Sequence, residues 1–303
     1  MSFAVDVVGL GLNAMDTICV LDRFPAPNTK TGIHKVRTEP GGQVATALAV
    51  CTRFGLTTRY IGSVGDDDLG RAQIESLRAS GLDTACVRIA QGATTQFAVI
   101  LLEEGVGERT VLWHHDPLLN YPVWELKRDL ITSGRILLID GCDTTAALQA
   151  ARWAREVGIP IVVDIDELYD DTTDELLRQV DYLIAAEEFV QKIAGNVIPE
   201  EAVRVLSDRY LCPVIGITLG SRGAIFFEKG RSFHSPGFKV SIADTTGAGD
   251  VFHGAFIYGL LQQWPIEQIA RFANGAAALK CTKVGARRGI PQLQDVLNLV
   301  TQR

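Results

Sequence analysis

Apolar residues along this chain gather in short runs that alternate with stretches of helical spacing. The runs at 4–11 (AVDVVGLG), 59–65 (RYIGSVG), 136–140 (ILLID), 159–166 (IPIVVDID), 181–186 (DYLIAA) and 213–220 (PVIGITLG) are rich in β-branched residues and read as strands. Between them, 43–55 (QVATALAVCTRFG), 70–81 (GRAQIESLRASG) and 145–158 (TAALQAARWAREVG) repeat apolar residues every three or four positions and read as helices. Such alternation predicts βαβ units around a mostly parallel sheet. Several of the strands are apolar nearly throughout, as expected where helices cover both faces of a sheet. Two stretches, 17–38 and 92–114, break the rhythm: they are β-branched and turn-rich, without helical period. They predict a small sheet that projects from the main body. No internal repeat or linker is visible, so the expectation is one α/β domain over 1–303, with a β lid formed by roughly 17–38 and 92–114.

Composition narrows the function classes. A chain of 303 residues, 47% hydrophobic and 21% charged, can bury a large core. Its formal net charge of −7, with 29 Lys and Arg against 36 Asp and Glu, offers no basic block to neutralise a run of phosphates, so no nucleic-acid partner is expected. The six cysteines are scattered singly without paired spacing, which suits small buried hydrophobes in a reducing cytoplasm. No stretch of about 18 apolar residues and no charged leader predict a membrane span or export.

Three short segments carry candidate chemistry. GLGLNA, 9–14, matches a dinucleotide-binding fingerprint, but that fingerprint requires a helix to open at its second glycine. The chain instead continues MDTICVLDRFPAP, so a dehydrogenase is disfavoured. Asn13 and Asp16, at the exit of the first strand, are either ligand-binding groups at a strand carboxyl end or ordinary turn residues. In PGGQVATALAVC, the pair Gly41 and Gly42 lets backbone approach a ligand ahead of a helix with an apolar stripe at Val44, Leu48 and Cys51. In TTGAGD, Gly247, Ala248 and Gly249 place unpaired amides at the start of an apolar helix, 251–261, where they can converge on an anion. Asp250 follows at once. A helix cap would explain the aspartate alone; amides for developing negative charge beside a carboxylate able to take a hydroxyl proton suit phosphoryl transfer to an alcohol. The chain has no GK dipeptide and hence no Walker loop.

ADTTGAGDVFHGAF resembles the C-terminal signature of the ribokinase-like (PfkB-type) family of carbohydrate and nucleoside kinases. PGGQVATALAVCTRFG is similar to its N-terminal glycine signature, and VGDDDLGRAQIESLRASGLDTACV and FANGAAALKCTKVGARRGIP also resemble family blocks, so the likeness spans nearly the whole chain. The resemblance implies a large α/β body, a small β lid, MgATP as phosphoryl donor and a possible monovalent cation. It implies Asp250 as base and Gly247, Ala248 and Gly249 as anion hole. Thr218, Gly220 and Asn274 would belong to the nucleotide site, and Asn13, Asp16, Gly41, Gly42 and Thr46 would meet the acceptor. The expected acceptor is a small sugar, with a nucleoside (adenosine-like) as alternative, then a phosphorylated sugar; a homodimer through the lid is a further expectation. Two departures stand out. Thr46 occupies the position where sugar-phosphorylating members carry asparagine. The magnesium-organising NxxE positions fall on Ala186 and Phe189, so Glu187 or Glu188 stands in, or the metal leans on Asp164 and Asp166. A non-catalytic nucleotide or sugar sensor on the same fold would account for that departure but not for an intact Asp250.

Overall fold

A computed structural model describes residues 3–104, 109–168, 170–195 and 197–302; positions 105–108 of the expected lid lie outside the described residues. From β1 (Val5–Leu10) the chain runs straight into β2 (Ala14–Leu21), then β3 (Lys35–Gly41), α1 (Gln43–Arg53), β4 (Thr58–Gly65), α2 (Asp68–Ala79), β5 (Asp83–Ala90), β6 (Phe97–Glu103) and β7 (Arg109–His114). There follow α3 (Arg128–Ile131), β8 (Gly134–Asp140), α4 (Thr144–Glu156), β9 (Ile161–Ile165), α5 (Thr173–Leu177), β10 (Tyr182–Ala186), α6 (Glu187–Ala194) and α7 (Pro199–Tyr210). The chain closes with β11 (Val214–Thr218), β12 (Ala224–Glu228), β13 (Arg231–Ser235), α8 (Ala248–Leu261), α9 (Ile266–Cys281) and α10 (Leu293–Thr301).

Nine strands form the large sheet, in the order β13-β12-β11-β10-β9-β8-β1-β4-β5. It is parallel from β11 to β5, and antiparallel only where β12 and β13 close one edge. Alternate residues of single strands enter opposite cores, which explains the continuous apolar runs. Leu137 and Ile139 of β8 pack with α4 and α7, whereas Ile136 and Leu138 pack with α1, α8, α9 and α10. The predicted doubly covered α/β architecture is therefore present.

The small sheet has the order β3-β2-β6-β7. β2 and β6 pair in parallel, with Val20 opposite Leu102, so the two irregular stretches do meet. Their boundaries differ from expectation, because β2 begins at Ala14 and β3 extends to Gly41. The cause is the absence of any turn after β1: Gly11, Leu12 and Asn13 carry the chain from one sheet directly into the other. Asp16 accordingly lies inside β2 rather than at the exit of the first strand, and no helix follows the GLGLNA segment. Among the described residues, no helix is long and apolar enough to cross a membrane.

Candidate active site

The TTGAGD turn sits where α8 begins. Gly247 is the residue before the helix, at φ 78°, and a Cβ there would lie 2.6 Å from that of Ala286, so glycine is required on both counts. The three-amide expectation needs one correction. The Ala248 N–H donates to Thr245 O at 3.1 Å and closes the turn, so it is not aimed at an anion. Gly249 and Asp250 supply the next N–H groups of the first turn, which a helix leaves unpaired, and a Cβ at Gly249 would meet nothing within 4 Å. The approach to the helix start is open.

Asp250 occupies the first turn of α8, half-buried, while the cap position belongs to Gly247. Its pKa is raised to about 7, first by burial and then by the neighbouring charge of Asp164, with smaller contributions from Asp16 and Asp166; His253 acts in the opposite direction. A carboxyl group tuned near neutrality beside a helix start is suited to accept a proton from an alcohol.

The acceptor-side residues converge through the glycine pair. A Cβ on Gly41 would fall 2.1 Å from Asp16 Oδ2, and one on Gly42, at φ 91°, would fall 2.6 Å from both Asn13 Cα and Leu12 O. The pair thus lets the Leu12–Asp16 backbone lie against the start of α1. Arg287, which the sequence reading did not single out, ties this region together. It donates from Nη2 to Asn13 Oδ1 at 2.6 Å and to Gly41 O at 2.7 Å, and from Nη1 to Ser76 Oγ at 3.1 Å. Burial brings its pKa down to about 10, against the charges of Tyr60, Asp16 and Asp250. Because the guanidinium can only donate, Asn13 must present its oxygen to it, which leaves Nδ2 as a buried donor without a partner. Thr46 Oγ1 is likewise buried and unpartnered. Two such orphans among five expected acceptor residues suit a polar ligand that supplies the missing bonds. Asp16, buried, has its pKa raised to about 6 by desolvation, partly offset by Arg287. Asn13 also lines a small open hollow at the carboxyl ends of β1 and β4, together with Tyr60, Gln96, His115 and Asp143.

Further acids stand at the neighbouring strand ends. Asp164 at the end of β9 is buried, with its pKa well above the carboxylate range through burial and then the charges of Asp166 and Asp140. Gln43 Nε2 reaches its Oδ1 at 3.4 Å and His253 Nδ1 lies 3.2 Å from its Oδ2; His253 Nδ1 also meets Gly249 O at 2.9 Å. Burial holds the imidazole below its ordinary pKa. His253 therefore links the β9 acid to the start of α8. Asp164 Oδ2 has no hydrogen-bond partner by strict geometry, and mutual repulsion among Asp16, Asp164, Asp166 and Asp250 is what a divalent cation would relieve. Carboxylates of this kind suit magnesium or its waters. Glu187 opens α6 and its carboxylate is paired with Arg222, Glu188 is next to it, and Phe189 is buried in the core.

On the nucleotide side, Thr218 ends β11 and Gly220 follows at φ 58° with open space at its α-carbon. Asn274 on α9 commits its amide nitrogen to Ser235, at 2.9 Å from O and 3.0 Å from Oγ, and so braces β13. From the small sheet, Arg109 of β7 hydrogen-bonds Thr245 in the anion turn, and Glu39 of β3 accepts from Arg288 Nε at 3.0 Å. The face carrying Asp16, Ile18, Ala98, Val111 and Arg109 therefore overhangs the site.

Comparison with known proteins bears on the family and the fold. The chain is 26% identical over 298 residues to a ribokinase of Haemophilus influenzae, covering 96% of this chain and 97% of the relative. It is 28% identical over 300 residues to an ATP-dependent ribose-1-phosphate kinase of Halopiger xanaduensis, covering 99% of each. The solved structure of Arabidopsis thaliana ribokinase complexed with ribose and ATP superimposes with a TM-score of 0.88 over 99% of this chain and 100% of that one, at 23% identity, which speaks to the fold alone. The pattern that describes pfkB family carbohydrate kinases matches residues 4–293, and this chain belongs to that family.

Proposed function

We propose that this carbohydrate kinase uses ATP and magnesium to phosphorylate a hydroxyl of a small sugar, with Asp250 as general base. The observation that carries the reading is the Asp250 carboxyl group in the first turn of a helix that opens on the Gly247 turn, with open space beside Gly249. Asn13 Nδ2, Thr46 Oγ1 and Asp16 would bind the acceptor's other oxygens, with Arg287 holding the Asn13 amide in its donor orientation. The Asp250 carboxylate would take the hydroxyl proton as the oxygen attacks the γ-phosphorus. The amides of Gly249 and Asp250 would stabilise charge on the transferring group. Gly247 and Ala248 would shape that turn, while Thr218, Gly220 and the Asn274 brace would form the nucleotide side.

Asp164 and Asp166 would hold magnesium or its waters, and the ion would supply positive charge to offset that of the transferring phosphoryl group. The overhanging sheet, anchored by Arg109 and Arg288, would close over the acceptor and exclude water, the competing phosphoryl acceptor. Its outer edge strand β7 is exposed along its length, with Leu112 56% and Trp113 64% exposed, which supports a homodimer through the lid. Six free cysteines, none paired, support a cytoplasmic location.

The test is a panel of sugars, sugar phosphates and nucleosides with MgATP, scored for ADP release. A sugar should give the highest rate. A nucleoside as best acceptor would move the assignment to the adenosine-like alternative, and nucleotide binding without turnover on any acceptor would make the protein a sensor.

A further inference from the structure

The cluster of Lys280 and Asp244 lies behind the anion turn and is not used by the steps above. Lys280, near the end of α9, is 0% exposed, and Asp244 is 1% exposed. The ammonium donates to Asp244 O at 2.7 Å and stands 3.7 Å from Asp244 Oδ2. The Asp244 carboxylate accepts in turn from Thr246 N at 2.8 Å, inside the turn, and from Gly285 N at 2.8 Å, beyond α9. Backbone bonds from Ala243 and Asp244 to Cys281 O complete the strap. The lysine stem passes under Gly289, where a Cβ would come within 2.9 Å of Lys280 Cε.

A buried ion pair is weak evidence for stability, since removing two charges from water costs about what their attraction returns. A positional role accounts for it better. Asp244 is the residue from which the turn to Gly247 departs, and ionised alone it would add a negative charge behind a site already crowded with carboxylates. Burial pushes its pKa up, but Lys280 and the two amides outweigh this and hold it below the usual range. The ammonium is also within electrostatic reach of Asp250.

We propose that Lys280 is a positioning residue for phosphoryl transfer: its ammonium fixes the anion turn through Asp244 and supplies a buried positive charge behind it from within the chain, so turnover requires no added potassium or sodium. The inference rests on the kinase reading for its kinetic consequence, but the fixing of the turn does not.

Two measurements separate those parts. Amide hydrogen exchange across 244–250 should be faster in Lys280→Met than in the parent, whether or not any acceptor turns over; unchanged exchange would overturn the proposal. In tetramethylammonium buffer the parent should run within about twofold of its rate in potassium or sodium, while Lys280→Met should lose roughly 10- to 100-fold in kcat, the range for groups that orient a reacting centre, with little change in acceptor KM. Ammonium chloride should restore part of that loss, because it replaces the missing cation. Parent activation by potassium beyond about fivefold, a loss confined to acceptor KM, or no rescue by ammonium would each count against it. Should the single variant fail to fold, Lys280→Met with Asp244→Asn removes both charges; this pair should fold and still show loosened exchange, and native exchange in it would refute the positioning role.

Discussion

Replacing Asp250 with Asn should separate catalysis from stability in opposite directions. The change keeps the shape of a first-turn side chain and removes the proton acceptor, so turnover should fall by about 10²- to 10⁴-fold, the usual contribution of a positioned base. That corresponds to ~2.7 to 5.4 kcal/mol in the barrier. Stability moves the other way. In the folded chain the Asp250 pKa is raised from 3.8 to about 7, so the native state holds this proton more tightly than the unfolded chain does. Its ionisation therefore costs the fold nothing below pH 3.8, progressively more as pH rises, and its full penalty above about 7. The shift is equivalent to at most about 4 kcal/mol, and solvent screening of a carboxyl that is not fully buried reduces this to roughly 1–2 kcal/mol. At ~1.6 °C per kcal/mol for a chain of this size, Asp250→Asn should melt about 2–3 °C above the parent at pH 8 and level with it at pH 4. Thermal melts at the two pH values, alongside ADP release, read both halves. A variant that keeps more than about a tenth of the parent rate would refute Asp250 as base, and a lower melting temperature at pH 8 would refute the electrostatic account.

Other consequences follow from the same geometry. For the parent, kcat/KM should fall tenfold per pH unit below about 7 and level off above, as Asp250 loses its proton; a profile flat down to pH 5 would exclude a base with this pKa. Glu187→Gln and Glu188→Gln should leave the magnesium requirement at saturating ATP nearly unchanged, since Arg222 already engages Glu187; a 10- to 100-fold weaker response, of the order expected for a metal-orienting group, would give one of them the metal role. Gly41→Ala drives a methyl into the Asp16 carboxylate and should raise acceptor KM while nucleotide affinity, measured by calorimetry, stays the same. Sedimentation should show a dimer that Leu112→Lys dissociates, and a monomeric parent at micromolar concentration would remove the lid interface.

The parts of the site that were legible in the sequence are those built by neighbours along the chain. A glycine turn before an apolar helix places amides and Asp250 within one helical turn, and Gly41 and Gly42 mark a close approach before another. The two irregular stretches announced the small sheet because neither helical nor buried-strand spacing fits them. What stayed hidden depends on contacts between distant segments. Arg287 meets Asn13 across 274 residues, and nothing in ARRGIP distinguishes a buried guanidinium from a solvated one. His253 was readable in part, because it lies three positions after Asp250 and so shares its helix face. The burial of Lys280 could not be foreseen, since lysine is almost never fully buried unless paired, and its partner Asp244 lies 36 residues away. The Ala248 amide was misread because a tight turn satisfies it before the helix begins.

The central claim is that Asp250 activates an acceptor hydroxyl for attack on ATP. Mass spectrometry of the best acceptor after incubation with MgATP tests it most directly, with the parent and Asp250→Asn run side by side and ATP binding by both verified. The account predicts one phosphorylated acceptor for each ADP formed by the parent, and almost none by the variant at equal nucleotide occupancy. Phosphorylated product from the variant at a rate close to the parent's, or ADP from the parent without any phosphorylated acceptor, would contradict it.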